Sequence, residues 1–358
     1  MRFVLKTRYA QDVQFFKHAG QRFWYALLTL FVFVAPFLLD DFYTGELALV
    51  FIYAIAGIGL MILVGYTGLV SLGHAAFLAI GAYAHAYFLT QGAPFVLSLI
   101  GATTVCVIVG AIVGIPSLRM TGIYLAVATL AFAQIVEKVL AHWESVTGGH
   151  RGMAVPEPEL FSWSLAAPTV FYFLVLLVLI AALFSALNLL RSPTGRAMIA
   201  IRDSEISAQA MGIHLARVKT TAFAVSAGFT GLAGALFAHK IGYLAPDAFT
   251  ILISIQLLLM VVVGGLGSMH GVIYGAIFIG LLPQGIAFLR ESLPAGIGQI
   301  PGLEPGIFGL ILVLFLVYEP LGIFGRWVKI RLFFSEFPLY RKSTYKRQKS
   351  YLRTERVH

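Results

Sequence analysis

The side chains that could do chemistry in this chain are few and scattered. Nine histidines and one cysteine are spread over 358 residues. His74 and His85 would share a helix face, but their spacing of 11 residues separates them by about 16 Å along the helix axis, too far to hold one metal ion. The chain has no Gly-x-x-x-x-Gly-Lys-Ser/Thr loop for nucleotide phosphates. These patterns predict no catalysis, no metal site and no cofactor on this chain.

The polar groups within the apolar stretches are neutral. Charged side chains such as Glu46, Glu137 and Glu319 stand only at the ends of these stretches. Proton-coupled carriers usually need an ionisable group inside the membrane, so its absence disfavours such a carrier. The neutral groups at depth are Thr67, Ser71, Thr103, Thr104, Thr129, Gln134, Ser226, Thr230 and Gln256. They could pass a small solute without binding it tightly, so tight capture and the energy source would belong to other proteins.

Two glycine-rich stretches are candidates for lining a solute path. Residues 57–85 are dense in Gly, Ala and Ser, and we expect a non-helical or re-entrant break over 65–73. Irregular backbone is tolerated within a membrane only where protein or a water-filled cavity satisfies it. The skeleton Met-x-x-Val-Gly-x-x-Gly occurs at 61–68 and again at 260–267, each time with a histidine downstream. Paired glycine-broken segments indicate the binding region in transporters built from repeats.

The tentative path therefore combines neutral groups from both stretches. Its residues are Tyr66, Thr67, Ser71, His74, Gln256 and His270. The alternative for His74 and His85 is that each is a packed polar side chain with no contact to solute.

The elements that must position these residues are membrane helices. Hydrophobic residues make up 59% of the chain, charged residues 11%, and the mean hydropathy is +0.89. The composition predicts an all-α, polytopic membrane protein with about ten transmembrane helices, some of them glycine-broken or re-entrant. The ten segments long and apolar enough for a core of about 30 Å are 23–39, 46–64, 72–90, 95–115, 121–140, 168–190, 218–239, 249–266, 271–289 and 306–324.

The basic residues indicate how the chain is oriented. With an even number of spans, 21 of the 25 Lys and Arg residues fall on one side, which the positive-inside rule makes cytoplasmic. The net charge of +9 thus reflects the orientation of the chain in the membrane and would attract anionic membrane lipid. We expect no nucleic-acid partner. The chain divides into a basic cytoplasmic N-terminus at 1–22, a transmembrane domain at 23–324 with a cytoplasmic loop at 191–217, and a basic, aromatic-rich cytoplasmic tail at 325–358.

The apolar run 23–39 follows a basic N-terminus, but no small-x-small cleavage site follows it before Asp40 and Asp41. We expect an uncleaved first span rather than a signal peptide. The longest outer loop, 142–167, is rich in Gly, Pro and Trp. We expect this loop to be structured, either capping the bundle or receiving a soluble partner.

The longest polar interruption, residues 191–219, is called the central segment here. It predicts two short helices lying on a surface, because Pro193 and Gly195 break the preceding span. Two acids, Asp203 and Glu205, stand against five basic residues, which are Arg191, Arg196, Arg202, Arg217 and Lys219. The charge predicts a cytoplasmic location.

The second of these helices has recognisable ends. Asp203 is a candidate N-cap, Glu205 falls in the first turn, and Gly212 is a candidate C′ stop. A small apolar face comprises Ile206, Ala210 and Met211. The segment could be a solvated interfacial loop or a docking element for a cytoplasmic partner. We expect neither Glu205 nor Gly212 to face lipid or core.

Four separated motifs resemble a known family. The runs GYTGLVSLGHAAFLAIGAYAHAYF, RSPTGRAMIAIRDSEISAQAMGI, AFAVSAGFTGLAGALFAHKIGYLAPDAFT and VVVGGLGSMHGVIYGAIFIGLLP occur in this order within residues 25–325. They resemble the LivM-type permeases of bacterial high-affinity branched-chain amino-acid ABC importers. The resemblance implies a multi-pass inner-membrane permease without enzymatic activity, importing Leu, Ile or Val. Its relatives include urea and short-amide permeases, so import of urea or a short amide is the main alternative. A self-sufficient carrier and a structural subunit are the other two alternatives, and both are less favoured.

The resemblance also implies partners. They are a second, LivH-type permease, two cytoplasmic ATPases that bind the ATP, and a periplasmic amino-acid-binding protein. The residues it assigns to coupling with an ATPase are Arg196, Arg202, Asp203, Glu205, Ile206, Met211 and Gly212. The general importer motif, Glu-Ala-Ala followed by three residues and Gly, is not matched: Glu205 and Gly212 are seven positions apart, and Ile206 and Ser207 replace the alanines.

Overall fold

The computed structural model describes residues 19–120, 122–160, 163–291, 303–319 and 321–336, and most of them are helical. In chain order the α-helices are Ala19–Leu38 (α1), Asp41–Leu60 (α2), His74–Thr90 (α3), Phe95–Gly114 (α4), Ile123–His142 (α5), Glu144–Thr147 (α6), Pro168–Arg191 (α7), Pro193–Asp203 (α8), Glu205–Ala210 (α9), Leu215–Ile241 (α10), Ile251–Gly264 (α11), Met269–Glu291 (α12), Leu303–Tyr318 (α13) and Gly322–Glu336 (α14).

Shorter elements join these helices. A π-helix, Met61–Tyr66, continues α2, and short 3-10 turns cover Pro116–Arg119, Gly149–Arg151 and Pro246–Ala248. Four two-residue strands are Met153–Ala154 (β1), Glu159–Leu160 (β2), Trp163–Ser164 (β3) and Tyr243–Leu244 (β4). Strand β1 pairs antiparallel with β4, and β2 pairs with β3. The predicted outer loop is therefore structured, as expected, and β1 ties it to the chain that follows α10.

Within the part of the chain that the structure describes, seven helices are long and apolar enough to cross a membrane. They are Asp41–Tyr66, Phe95–Leu118, Ile123–His142, Pro168–Arg191, Leu215–Ile241, Pro246–Gly264 and Met269–Arg290. Large apolar residues are abundant at the surface of the bundle, as is typical of helices that face lipid. The structure thus supports a polytopic membrane protein of helical class.

Helices α2 and α10 form the centre of the bundle, and both are largely buried. They run antiparallel. Near the start of α2, the Nζ of Lys240 approaches Gly45, and near the end of α2, Gly59 packs against the backbone of Ser226. Helices α3 and α4 pack against one side of α10, and α7 packs against α2. This arrangement gives the molecule two ends: a strand end with β1 and β4, and an opposite end with α8 and α9.

The last predicted span, 306–324, differs from the structure. The helix α13 ends at Tyr318, and a separate helix α14 begins at Gly322, whose φ of +71° marks a left-handed turn. Helix α14 therefore covers residues that the sequence assigned to the start of the basic tail. The remaining tail residues, 337–358, lie outside the described residues, as do residues 1–18.

Candidate functional site

The first glycine-rich break begins later than its sequence predicted. The helical backbone continues through the π-helix to Tyr66 and Thr67, and the non-helical stretch covers 68–73 before α3 starts at His74. Gly65, the predicted start of the break, therefore lies within the π-helix. A π-helix changes the direction of the last carbonyl groups relative to an α-helix, and such bulges often occur at functional sites.

Side chains from two other helices satisfy backbone groups of this break and of the first turn of α3. The Leu72 N–H donates to Oγ1 of Thr129 at 3.0 Å, and the Ala75 N–H donates to Oγ of Ser254 at 2.8 Å. Thr129 belongs to α5 and Ser254 to α11. The irregular backbone is thus satisfied by protein, one of the two conditions under which a membrane tolerates it. Ser254 was not among the predicted site residues, although a serine alone within an apolar helix was the available indication.

His74 is fully buried within the same cluster. Its Nδ1 lies 3.0 Å from Oγ of Ser71, and its Nε2 lies 2.8 Å from Oγ of Ser226 on α10. Both ring nitrogens therefore have hydroxyl partners inside the protein, so the ring locks the start of α3 to α10. Thr67 is also buried, and its hydroxyl donates to the Ile62 carbonyl at 2.9 Å. A path-lining role for these residues stays a prediction.

The second glycine-rich break lies between α11 and α12 and meets the first. Gly265 and Gly267 have φ angles of +116° and +82°. The Gly267 N–H points to Sδ of Met61 at 3.3 Å, and a Cβ placed on Gly65 would lie 2.9 Å from the Gly267 nitrogen. The two matching skeletons found in the sequence are therefore in direct contact.

The other two candidate path residues lie on α11 and α12. His270 is exposed near the start of α12, where its Nε2 is 2.9 Å from the Tyr25 hydroxyl and its ring stacks on Phe324 with centroids 6.0 Å apart. Gln256 is half-buried on α11. The tentative path set is thus divided among three places in the bundle.

The central segment forms two helices, as predicted, but the N-cap is different. Asp203 is the last residue of α8, and Ser204 is the N-cap of α9, with its side chain accepting from the Ser207 N–H. The prediction of Asp203 as the cap was wrong by one position, because a following serine competes equally well for this role. Glu205 does fall in the first turn.

Gly212 ends α9 as predicted. Its φ is +83°, and its N–H donates to the Gln209 carbonyl, while the Ile213 N–H donates to the Ala208 carbonyl. This pair of bonds is the Schellman arrangement, which favours glycine at C′ because only glycine adopts positive φ without cost.

Arg202 connects the central segment to both glycine-rich breaks. Its Nη1 donates to the Gly65 carbonyl at 2.9 Å, and the same atom lies 3.2 Å from where a Cβ on Gly267 would stand. A Cβ on Gly68 would meet the Arg202 side chain at 3.2 Å. Asp203 orients the guanidinium by accepting from Nε at 3.2 Å and from Nη2 at 3.1 Å. We call this contact of Arg202 with the two breaks the break junction.

A second link joins α9 to α10. The Lys219 ammonium, 2% exposed, lies 2.8 Å from the Glu205 carboxylate, which is 38% exposed. Because the Lys219 ammonium is shielded from water, it depends on the Glu205 carboxylate as its charge partner, and the pair fixes α9 against the start of α10. Glu205 was predicted to be a coupling residue, but its pairing with the buried Lys219 was not predicted.

The predicted apolar face of α9 points away from the bundle. Ile206 is 70% exposed and Met211 is 84% exposed, with Ala210 exposed between them. On α8, Nη1 of Arg196 donates to the Arg191 carbonyl at 3.1 Å. The central segment therefore has one side anchored by Arg202 and Glu205, and an outer side with apolar groups free to contact another surface.

Comparison with known proteins gives the class of the chain. Residues 43–316 match the family described as "Branched-chain amino acid transport system / permease component". The chain is 35% identical over 326 residues to the high-affinity branched-chain amino acid transport system permease protein LivM of Escherichia coli (strain K12), covering 83% of this chain and 73% of that protein. It is 34% identical over 316 residues to the LivM protein of Salmonella typhimurium, covering 80% and 71%.

A more distant relative is the probable branched-chain amino acid transport permease protein LivM of Methanocaldococcus jannaschii, 26% identical over 234 residues, covering 64% of this chain and 67% of that protein. No solved structure matches the chain significantly. The matched region includes both glycine-rich breaks and the whole central segment. The chain therefore belongs to the family of permease components of branched-chain amino acid transport systems.

Proposed function

We propose that this chain is a permease subunit of an ABC importer that moves leucine, isoleucine and valine across a bacterial inner membrane. The observation that carries the proposal is the central segment, which is anchored to both glycine-rich breaks on one side and exposes apolar groups on the other. A motion imposed on α9 from outside would reach the breaks through Arg202 and the start of α10 through Glu205. The chain itself would bind no cofactor.

The importer would contain four further proteins. They are a second, LivH-type permease, two cytoplasmic ATPases that hydrolyse ATP, and a periplasmic binding protein that captures the amino acid. Similarity to LivM proteins supports this assembly, because their names describe components of transport systems. The ATPase would occupy the exposed face of α9.

The proposed topology has ten spans with both termini in the cytoplasm. Three further helices, Ala19–Leu38, His74–Thr90 and Leu303–Tyr318, would join the seven described above. Helix α3 has only 17 residues, but the break at 68–73 that precedes it would span part of the thickness of the membrane. The end with α8 and α9 would be cytoplasmic and the strand end external, in agreement with the basic residues of the central segment.

Transport by the assembled importer tests the proposal. We expect proteoliposomes containing all four membrane-bound subunits, with ATP inside and loaded binding protein outside, to accumulate radiolabelled leucine. Uptake should stop when ATP is omitted. Uptake of urea or a short amide in place of leucine would identify the alternative substrate class. Leucine uptake by the permease pair alone would indicate a self-sufficient carrier.

The exposed face of α9 has a separate test. Ile206→Asp and Met211→Asp should each reduce co-purification of the ATPase by about tenfold or more, because burial of either side chain is worth about 1.5–3 kcal/mol. Gln209→Asp adds the same charge to the same helix at an exposed polar position and should leave co-purification unchanged. Normal co-purification of both apolar variants would place the ATPase contact elsewhere, at 117–122 or in the basic tail.

A further inference from the structure

A cavity of 310 Å³ opens at the strand end of the bundle. It lies between the first turn of α2, the start of α7, the end of α10 and the loop 155–158. Its lining includes Asp41, Val155, Leu165, Phe171, His239 and Lys240. No residue of the tentative path set lines this cavity, which lies at the end of the molecule opposite the break junction.

The ammonium of Lys240, in the wall of the cavity, does not use all of its hydrogen-bonding capacity. Lys240 is 25% exposed, and its Nζ lies 3.5 Å from the carboxylate of Glu46, a long separation for an ion pair. The Glu46 carboxylate also accepts from Nε2 of Gln284 at 2.5 Å. An ammonium carries three N–H donors, so Lys240 retains capacity for a second anion.

Groups that could accept from a cation stand in the same lining. The Asp41 carboxylate is exposed in the first turn of α2. His239 is held by a hydrogen-bond chain in which its Nε2 is 2.8 Å from Nε2 of His85, and Nδ1 of His85 is 2.7 Å from Oγ of Ser98. Among the described residues, Nδ1 of His239 has no hydrogen-bond partner. Glu157, also exposed, contributes a second carboxylate to the lining. The polar part of the cavity thus contains one cation, two carboxylates and one uncommitted ring nitrogen.

The remaining wall is apolar. Leu165 and Phe171 are each 8% exposed, and Val155 and Pro168 complete this side. A carboxylate partner, an ammonium partner and an aliphatic wall within one small cavity are the three features that a free α-amino acid with an aliphatic side chain requires. The volume is at the lower end of the range for small-molecule sites, about 300–1,000 Å³, which suits a ligand of this size.

We infer that this cavity is an external binding site for a zwitterionic, aliphatic α-amino acid. Lys240 binds the α-carboxylate, Asp41 and Nδ1 of His239 bind the α-ammonium, and the aliphatic side chain packs against Leu165 and Phe171. The inference rests on the proposed function. It adds a first binding site on the permease, which holds the amino acid after the binding protein releases it. Partial exposure of both charged groups keeps this binding weak, so the ligand can move on.

Photo-crosslinking in the assembled importer tests this site. We expect photo-leucine, which carries a diazirine on its side chain, to label segments 155–171 and 239–242 in the absence of binding protein. Leucine should compete with labelling. Leucinamide, which lacks the carboxylate, and 4-methylpentanoate, which lacks the ammonium, should not. These competitions use the unmodified protein, so they do not depend on the folding of any variant.

A matched pair of variants gives the second arm. Lys240→Met should reduce labelling about tenfold or more, because it removes a charge-assisted hydrogen bond. Lys138→Met removes an exposed lysine on α5 outside this cavity and should leave labelling unchanged. Labelling that survives in Lys240→Met, or that phosphoethanolamine blocks and leucine does not, overturns the inference. An importer that transports leucine while the cavity stays unlabelled also overturns it and leaves the proposed function intact.

Discussion

Glu205→Ala is expected to destabilise the folded protein by about 3–5 kcal/mol, because it leaves a buried charge without its partner. Lys219 is 98% shielded from solvent at the start of α10, and its ammonium is paired with Glu205 at 2.8 Å. The thermal unfolding midpoint of the purified importer measures the effect. The sequence predicted that Glu205→Ala would uncouple transport without affecting folding. The structure changes that expectation, because the carboxylate contacts a core residue.

Two comparisons separate the buried pair from a general effect of losing a charge. Asp203→Ala removes the carboxylate from the neighbouring ion pair with Arg202, whose side chains are 38% and 67% exposed, and should cost less than about 1 kcal/mol. The double variant Glu205→Gln with Lys219→Met removes the buried ammonium together with its partner charge and should recover most of the lost stability. If Glu205→Ala unfolds at the same temperature as Asp203→Ala, the buried ion pair does not stabilise the fold.

Gly264→Ala is expected to prevent the α11–α12 hairpin from closing, with a cost of about 3 kcal/mol or more. A Cβ on Gly264 would lie 1.9 Å from the carbonyl oxygen of Gly271 and 2.7 Å from its carbon. Both atoms belong to the backbone of the facing helix, so no side chain can rotate away. The amount of monodisperse protein recovered by size-exclusion chromatography measures the loss.

Gly285→Ala is the matched control for this prediction. Gly285 lies on α12 as well, and a Cβ placed there meets no atom within 4 Å. Alanine is the better helix former by about 1 kcal/mol, so this variant should be as stable as the original or more so. Equal recovery of Gly264→Ala and Gly285→Ala would mean that the two helices can separate at no cost.

Hydropathy located the helices well and their interruptions less well. The stretch 168–190 was predicted almost to the residue as Pro168–Arg191, since an apolar run bounded by Pro and Arg leaves little choice. The first break was placed at 65–73 but covers 68–73, because glycine permits a helix to end without specifying where. The position is fixed by Thr129 and Ser254, which lie far away in the sequence.

The sequence predicted the separate parts of the candidate site but not the side-chain contacts that join them. The repeated Met-x-x-Val-Gly-x-x-Gly skeleton identified both breaks, and glycine at 212 identified the end of α9 correctly, because local backbone geometry determines such features. The contacts of Arg202 with Gly65 and of Lys219 with Glu205 depend on how distant helices pack. A single sequence does not encode that arrangement in any local pattern. The assignment of Arg202 and Glu205 to coupling stays a prediction, now with a defined mechanical link.

The way in which the first break is satisfied has a consequence for the synthesis of this protein. The partners of Leu72, His74 and Ala75 lie 57, 152 and 179 residues away in the sequence, and all come later than the break. At about 5–20 residues per second, the ribosome needs on the order of 10–40 s to reach the last of them. During that interval the start of α3 has backbone groups without their final partners. The start of α3 therefore reaches its final hydrogen bonding only after α11 has been inserted.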